Sequence, residues 1–177
     1  MKLISVTEAL RPFNDFSRIP ADVLERAQNR GSRVHAAIAA HLTGTFLLKP
    51  LQPEEMPLYA SLRRWCDEMV SEVIEVEPEV KHEGHGYIGH PDAIVILKQG
   101  GAKAIPDWKT PQVESLSWPV QISAYCVAAD ISLGFAVQPR PDGKIAKARR
   151  YDFNPQHFNV FLSALNCHRW FNQKGGK

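Results

Sequence analysis

The sequence predicts an α/β (α+β) protein in which a central mixed β-sheet is flanked by helices. Two observations support this prediction. The spacing of apolar residues is close to 3.6 up to about residue 73 and then changes to about 2, and helical and extended segments alternate again in the second half. The chain has 177 residues, 44% of them hydrophobic and 23% charged, which is enough apolar material for one core. We therefore expect a single domain over residues 1–177.

Helices are predicted mainly in the first part of the chain. A short helix is expected over residues 5–10, and a long one over residues 21–43 with Gly44 as its C-terminal stop. A third helix is indicated by an apolar stripe at helical spacing, which consists of Leu58, Leu62, Trp65, Met69 and Val73. The last helix is predicted to follow the cap formed by Asn154 and Pro155.

Strands are predicted where apolar and polar residues alternate, or where β-branched residues cluster between turn residues. The first three are expected to form a meander joined by glycine-containing turns, and they cover residues 76–81, 87–97 and 104–109. A helix beginning near Pro119 follows, and the last two strands cover residues 134–138 and 145–153. The second half therefore supplies the sheet and one helix that packs on it.

The composition excludes several classes of protein. No apolar run approaches the roughly 20 residues needed to span a bilayer, and the N-terminus lacks the apolar stretch of a secretory signal. We therefore expect a cytoplasmic protein with no membrane partner. The cysteines, Cys66, Cys126 and Cys167, lie far apart without the spacing of zinc or iron–sulfur ligands.

The formal net charge of +2 neither requires nor excludes a nucleic-acid partner. Local charge is more informative, because basic residues are clustered in two segments. These segments could face phosphate or simply solvent, and they contain Arg26, Arg30 and Arg33 in one case and Lys144, Lys147, Arg149 and Arg150 in the other.

Two aspartates and a lysine form the pattern that indicates chemistry. Asp107 and Lys109 are two residues apart in a predicted strand and therefore point to the same face, and the preceding strand can bring Asp92 beside them. Paired carboxylates suit Mg²⁺ or Mn²⁺, which bind phosphate oxygens and generate hydroxide from water. A neighbouring lysine can orient that water and stabilise charge on the phosphate. The alternative interpretation of the Asp-x-Lys pair is a surface salt bridge of little consequence.

Four short motifs occur in a fixed order along the chain. They are Gly31-x-x-x-His35, Gly89-x-x-Asp92, Asp107-x-Lys109-Thr110 and Gln121-x-x-x-Tyr125. In this combination the sequence resembles the PD-(D/E)XK nuclease superfamily, in its RecB-like exonuclease branch. The resemblance covers about residues 5–130 and implies a restriction-endonuclease-like core.

The resemblance also implies roles for individual residues. His35, Asp92, Asp107 and the backbone carbonyl of Trp108 would ligate the metal, and Lys109 would activate the attacking water. A further pair on one helix face, Gln121 and Tyr125, would hold the nucleophile or the scissile phosphate. The side chains of Trp108 and Trp118 could stack on bases or pack in the core.

The function that follows is a Mg²⁺- or Mn²⁺-dependent deoxyribonuclease, bacterial or phage-encoded, that acts as an exonuclease on DNA ends or single-stranded DNA in recombination, replication or repair. The chain carries no helicase phosphate loop, so unwinding would come from a helicase or recombination partner protein. Two alternatives remain open: a structure-specific or restriction-like endonuclease, and a catalytically silent DNA-binding module with the same fold.

Overall fold

The computed structural model describes residues 3–14 and 19–172, and within them it contains five α-helices and eight β-strands. The helices are α1 (Val6–Leu10), α2 (Ala21–Thr43), α3 (Met56–Met69), α4 (Ser117–Ala129) and α5 (Pro155–Asn172). The strands are β1 (Ile4–Ser5), β2 (Val70–Val76), β3 (Val80–His82), β4 (Tyr87–Gly89), β5 (Ala93–Leu97), β6 (Lys103–Trp108), β7 (Leu133–Gln138) and β8 (Lys147–Asp152). None of the helices in these ranges is long and apolar enough to cross a membrane.

The strands form a five-stranded sheet and a small three-stranded sheet. The larger sheet has the order β2-β5-β6-β7-β8, in which β6 and β7 are parallel and the other neighbours are antiparallel. The smaller sheet has the order β1-β4-β3. The predicted fold class, a mixed sheet flanked by helices, is therefore confirmed.

The two faces of the five-stranded sheet pack against different helices. On the face that we call the α4 face, Ile105 and Ala136 belong to a core cluster with residues of α1, α4 and α5. On the opposite face, the α2 face, Trp108 and Val137 belong to a cluster with residues of α2 and α3. Because successive residues of a strand point to opposite faces, β6 contributes to both cores. Asp107, which follows Ile105 by two residues near the end of β6, therefore lies on the α4 face.

Three of the predicted strand and helix assignments are wrong. The segment 76–81 is not one strand, because β2 ends at Val76 and β3 begins at Val80. The segment 87–97 is not one strand, because β4 and β5 belong to different sheets and are separated by residues 90–92. Pro91 cannot donate a hydrogen bond to a neighbouring strand, which explains the break. The predicted meander is therefore divided into two antiparallel pairs, β3 with β4 and β5 with β6, and β2 pairs with the other side of β5.

The third helix is also shorter than its apolar stripe suggests, since it ends at Met69 and Val73 lies in β2. The β-branched residues of this segment pair with β5 along the sheet edge. Glu77 ends β2 with a left-handed backbone, φ 51°. The predicted stop of α2 is confirmed, because Gly44 has φ 67° and its backbone N–H closes the last turn.

Candidate active site

The C-terminal end of β6 carries Asp107 and Lys109 into the core. Asp107 is 4% exposed and Lys109 8% exposed, and the Lys109 ammonium forms an ion pair with Asp107 Oδ2. The backbone N–H of Lys109 donates to the carbonyl of Val137, so the ladder with β7 continues past the end of β6. The interpretation of this pair as a surface salt bridge is therefore wrong, because both groups are buried between the sheet and α4.

Asp92 lies immediately before β5, opposite the end of β6. The antiparallel register pairs Val95 with Ala104, and its continuation places Asp92 across from Asp107. The Oδ2 atom of Asp92 accepts a hydrogen bond of 2.6 Å from the backbone N–H of Trp108. The irregular segment after β4 thus delivers a carboxylate to the end of β6, as the sequence predicted, although Asp92 precedes its strand instead of lying in it.

His35 reaches the same point from α2. Its Nδ1 atom donates to Asp92 Oδ1 over 2.9 Å. Burial opposes a positive charge on this ring, but the carboxylates of Asp92 and Asp107 outweigh it, so the pKa of His35 is raised above its ordinary value. The structure therefore brings the helical histidine of the first motif to the two aspartates.

Gly31 explains why α2 can approach so closely. A Cβ atom at this position would lie 2.9 Å from Thr110 Oγ1, which is closer than van der Waals contact. Thr110 directly follows Lys109, so the glycine allows the helix to pack against the segment that follows β6. The two outer residues of the Gly31-x-x-x-His35 motif thus have separate tasks, one steric and one polar.

Gln121 and Tyr125 approach Lys109 from α4. Lys109 Nζ donates to Gln121 Oε1 over 2.7 Å, and Gln121 Nε2 donates to the Tyr125 hydroxyl over 2.8 Å. Burial raises the pKa of Tyr125 far above its ordinary value, so the hydroxyl stays protonated. Gly89 makes room for this ring, because a Cβ there would lie 2.6 Å from two of its carbon atoms. The fourth motif is therefore joined to the third by a chain of hydrogen bonds.

The pKa of the Asp107 carboxyl group is set by opposing effects. Burial raises the pKa of its carboxyl group to about 6, Lys109 opposes the rise, and Asp92 adds to it. Asp107 Oδ2 is buried, and the contact described for it is the ion pair with Lys109. A buried carboxylate oxygen in this state is a candidate for a cation ligand.

The donor set suits a hard divalent cation, because it offers carboxylate oxygens beside an imidazole. In residues 3–14 and 19–172, however, no three histidine, cysteine or acidic groups are arranged as a ready-made metal site. The carboxylates have other partners here: Asp92 accepts from His35 and the Trp108 N–H, and Asp107 pairs with Lys109. Cation binding would have to displace part of this network.

Trp108 and Trp118 have different surroundings. The Trp108 ring is 3% exposed and packs edge-on against Trp65 at 5.9 Å, so it is a core residue and not a base-stacking platform. Trp118, 7% exposed at the start of α4, lies with its ring centroid 6.0 Å from Lys109 Nζ. The sequence offered no signal for this contact, because aromatic residues beside a lysine are indistinguishable from core residues until the fold is known.

The first basic cluster is mostly occupied by partners within the protein. Arg33 pairs with Glu55, whose side chain is fully buried, and Arg26 pairs with Asp22 on the surface. Glu55 was not singled out from the sequence, and a carboxylate between proline and methionine residues carries no distinguishing pattern. Arg33 therefore has a structural role in joining α2 to the start of α3.

No protein-family model matches the sequence, and a comparison with curated proteins finds no match. Among solved structures, the chain is similar to an alkaline exonuclease (LHK-Exo) from Laribacter hongkongensis, with a TM-score of 0.54 and 13% identity over 96% of this chain and 87% of that one. The same exonuclease in complex with dAMP gives a TM-score of 0.53 at 13% identity over the same shares. A protein designated SSO0001 gives 0.51 at 14% identity, over 98% of this chain and 78% of that one. At these identities the similarity shows a shared fold.

Proposed function

We propose that this chain is a Mg²⁺- or Mn²⁺-dependent deoxyribonuclease of the PD-(D/E)XK superfamily, in its RecB-like exonuclease branch, which hydrolyses DNA at ends or in single strands. One observation carries the proposal: residues from four separate motifs meet in one polar network at the buried end of β6. These residues are His35, Asp92, Asp107, Lys109, Gln121 and Tyr125. The similarity in fold to an alkaline exonuclease supports it.

Asp92, Asp107, His35 and the Trp108 carbonyl would hold the cation. A divalent cation held there would act as a Lewis acid, which would polarise the phosphodiester and lower the pKa of a nearby water. Asp107 is the ligand whose charge the cation would favour most, since its carboxyl group is buried and its pKa is raised to about 6. His35 must be neutral to donate a lone pair.

Lys109 would orient the attacking water and stabilise the charge that develops on the phosphate. Its ammonium is held by Gln121 Oε1 and by Asp107, so its direction is defined from both sides. Tyr125, which accepts from Gln121, would contact the scissile phosphate through its hydroxyl proton. Together these residues would bind the phosphate and orient the attacking water, which is what an oriented hydrolytic attack requires.

The test is cleavage of end-labelled single- and double-stranded oligonucleotides in Mg²⁺, Mn²⁺ or EDTA. The wild type should cleave with either cation and not in EDTA. Asp107→Asn should lose more than about a hundredfold in rate, beyond the cost of removing an outer partner of a metal ligand. Asp152→Asn is the matched control, because this aspartate is exposed on β8 and pairs with Arg150. Cleavage that is indifferent to Asp107→Asn and Lys109→Ala would overturn the proposal.

Circular single-stranded DNA separates the two modes of cleavage. An exonuclease leaves it intact while digesting the linear form of the same strand, whereas an endonuclease cuts both. A catalytically silent module would bind DNA without cleaving either form in any cation. A helicase or recombination protein would supply unwinding for duplex substrates, so we expect single-stranded ends to be the better substrate of the isolated chain.

A further inference from the structure

The edge strand β8 is polar and positively charged along its length, with the sequence Lys-Ala-Arg-Arg-Tyr-Asp. It pairs on one side only, with β7. Charged residues on an edge strand protect a sheet from pairing with another chain, and they can do so from either face of the sheet. In β8, however, the register places particular basic residues on each face.

The register aligns basic residues of β8 with the candidate active site. Asp107 pairs with Ala136, and Ala136 pairs with Arg149. Two residues further along the same strands, Lys109 lies opposite Gln138, and Gln138 pairs with Lys147. Residues paired across a sheet share a face, so Lys147 and Arg149 lie on the α4 face with the catalytic pair.

Arg150 belongs to the other face. It pairs with Phe135, which is part of the core on the α2 face, and its guanidinium is bound to Asp152 at 2.7 Å. Two adjacent arginines of one exposed strand therefore differ mainly in the side of the sheet on which they lie.

An open groove of about 530 Å³ follows the α4 face of β7 and β8. Ala136, Trp118 and Glu114 line it, and β8 borders it with the consecutive residues 147–150, so Arg150 also contributes to the lining. Trp118 also faces Lys109, at 6.0 Å from ring centroid to Nζ. The residues of the candidate active site do not line the groove, but Ala136, which pairs with Asp107, and Trp118, which contacts Lys109, place it next to the site at the sheet edge.

The distances suit a nucleic-acid strand. Lys147 lies two strands away from Lys109, which corresponds to about 10 Å at the usual strand spacing. Along the axis of a duplex one strand rises about 3.4 Å per nucleotide, and successive phosphates lie farther apart than this rise. The separation therefore spans at most about three nucleotides. A DNA strand with its scissile phosphate at Lys109 would thus place another of its phosphates at Lys147.

The charges of the groove leave an anion site open. Among the described residues, Lys147 has no acidic partner within ion-pair distance. Arg149, whose side chain is 63% exposed, pairs with Glu114 at 2.8 Å, and the Tyr151 hydroxyl donates to the same carboxylate. A phosphate at Lys147 would compete with Glu114 for Arg149.

We infer that Lys147 and Arg149 bind the phosphate backbone of the DNA strand that is being cut, within about three nucleotides of the scissile bond. This inference rests on the proposed function and extends it from the site of cleavage to the path of the substrate. It also predicts which substrates depend on these residues: only those long enough to reach β8.

The experiment compares two substrates in the full chain with Mn²⁺. One is a small phosphodiester, thymidine 5′-(p-nitrophenyl phosphate), which occupies only the candidate active site, and the other is a fluorescein-labelled 12-nucleotide single strand. The variants are Lys147→Gln, Arg149→Gln, their combination, and Arg63→Gln as the matched control, because Arg63 is exposed on α3, outside the groove, and pairs with Asp67. The double variant should cleave the small substrate at the wild-type rate and lose at least about tenfold in kcat/KM on the oligonucleotide.

Binding of the oligonucleotide in EDTA, followed by fluorescence anisotropy against salt, gives a second readout. Each lost phosphate contact should lower the slope of log K against log salt by about 0.7, so the double variant should lose about 1.4. Glu114→Gln should tighten binding, because it releases Arg149. Equal behaviour of the double variant and Arg63→Gln on the oligonucleotide would overturn the inference alone. A wild type that cleaves neither substrate in any cation would overturn the proposed function and this inference with it.

Discussion

Asp107 shows how a single carboxyl group links the fold to the proposed chemistry. Its pKa is raised to about 6 by burial, against the pull of Lys109 and with a contribution from Asp92. The folded chain therefore binds this proton more tightly than the unfolded chain does. The stabilisation is complete below the ordinary pKa of 3.8 and is lost as pH rises through about 6. His35, whose pKa is raised from 6.5, acts in the same direction at higher pH.

We predict that the metal-free protein becomes less stable relative to Asp107→Asn as pH rises from 5 to 8. Between pH 5 and pH 8 the proton is lost from a folded-state group whose pKa is about 6, so the change amounts to roughly 1 kcal/mol, about one pH unit of the titration. Urea unfolding in EDTA at several pH values measures the change. A stability difference that is constant with pH, or that grows in favour of the wild type, would contradict this prediction.

A bound cation should counteract this loss of stability at high pH, since it binds the ionised form of Asp107. We expect Mn²⁺ to raise the thermal midpoint of the wild type more at pH 8 than at pH 5.5, and to leave Asp107→Asn almost unchanged at both. Asp152→Asn should respond as the wild type does, because its carboxylate lies on the exposed edge strand.

At the scale of elements, the site depends on the close contact of α2 with the segment that follows β6. His35 can reach Asp92 only while Gly31 packs against Thr110. The helix is otherwise held by its apolar side, where Val34 and Ile38 are fully buried. The polar contact and the steric contact are one turn apart, so a displacement at one is transmitted to the other.

Gly31→Ala should therefore reduce cleavage, by up to about a hundredfold if His35 shifts by an ångström. Helix propensity alone would predict the opposite for stability, a gain of up to about 1 kcal/mol. Thr110→Ala should restore activity to Gly31→Ala, because the nearest remaining Thr110 atom would lie 3.9 Å from the new Cβ. Failure of this second change to rescue would show that the contact does not position α2.

At the scale of the whole molecule, the five-stranded sheet carries a core on each face, and β6 takes part in both. A sheet shared in this way should couple the two cores in unfolding. The single-domain prediction for residues 1–177 stays a prediction, and this coupling is its test.

Phe161→Ala should lower the free energy of unfolding by about 3–5 kcal/mol, because the ring is fully buried in the cluster on the α4 face. Tryptophan fluorescence, to which buried Trp65 and Trp108 of the other core contribute, should shift by the same amount as far-UV circular dichroism. Phe171→Ala is the control, since that ring is 82% exposed on α5. Two separate transitions would indicate two independently folding units.

Much of the fold follows from local sequence, and the exceptions have identifiable causes. The capping residues placed α2 and α5 correctly, because glycine and asparagine caps act within one helical turn. The segment 87–97 was misassigned because its strand character is real but its two halves find partners in different sheets. Strand pairing depends on residues far away in the chain, which periodicity does not report.

The sequence alone determined the fold class and the set of residues proposed for the site, because residue type, strand alternation and motif order are local properties of the chain. Only the tertiary structure decided that these residues meet, that Asp107 and Lys109 are buried, and that the register of β8 places Lys147 and Arg149 on the same face of the sheet. Burial, pKa and strand register arise from contacts between distant segments, and those exist only once the chain has folded.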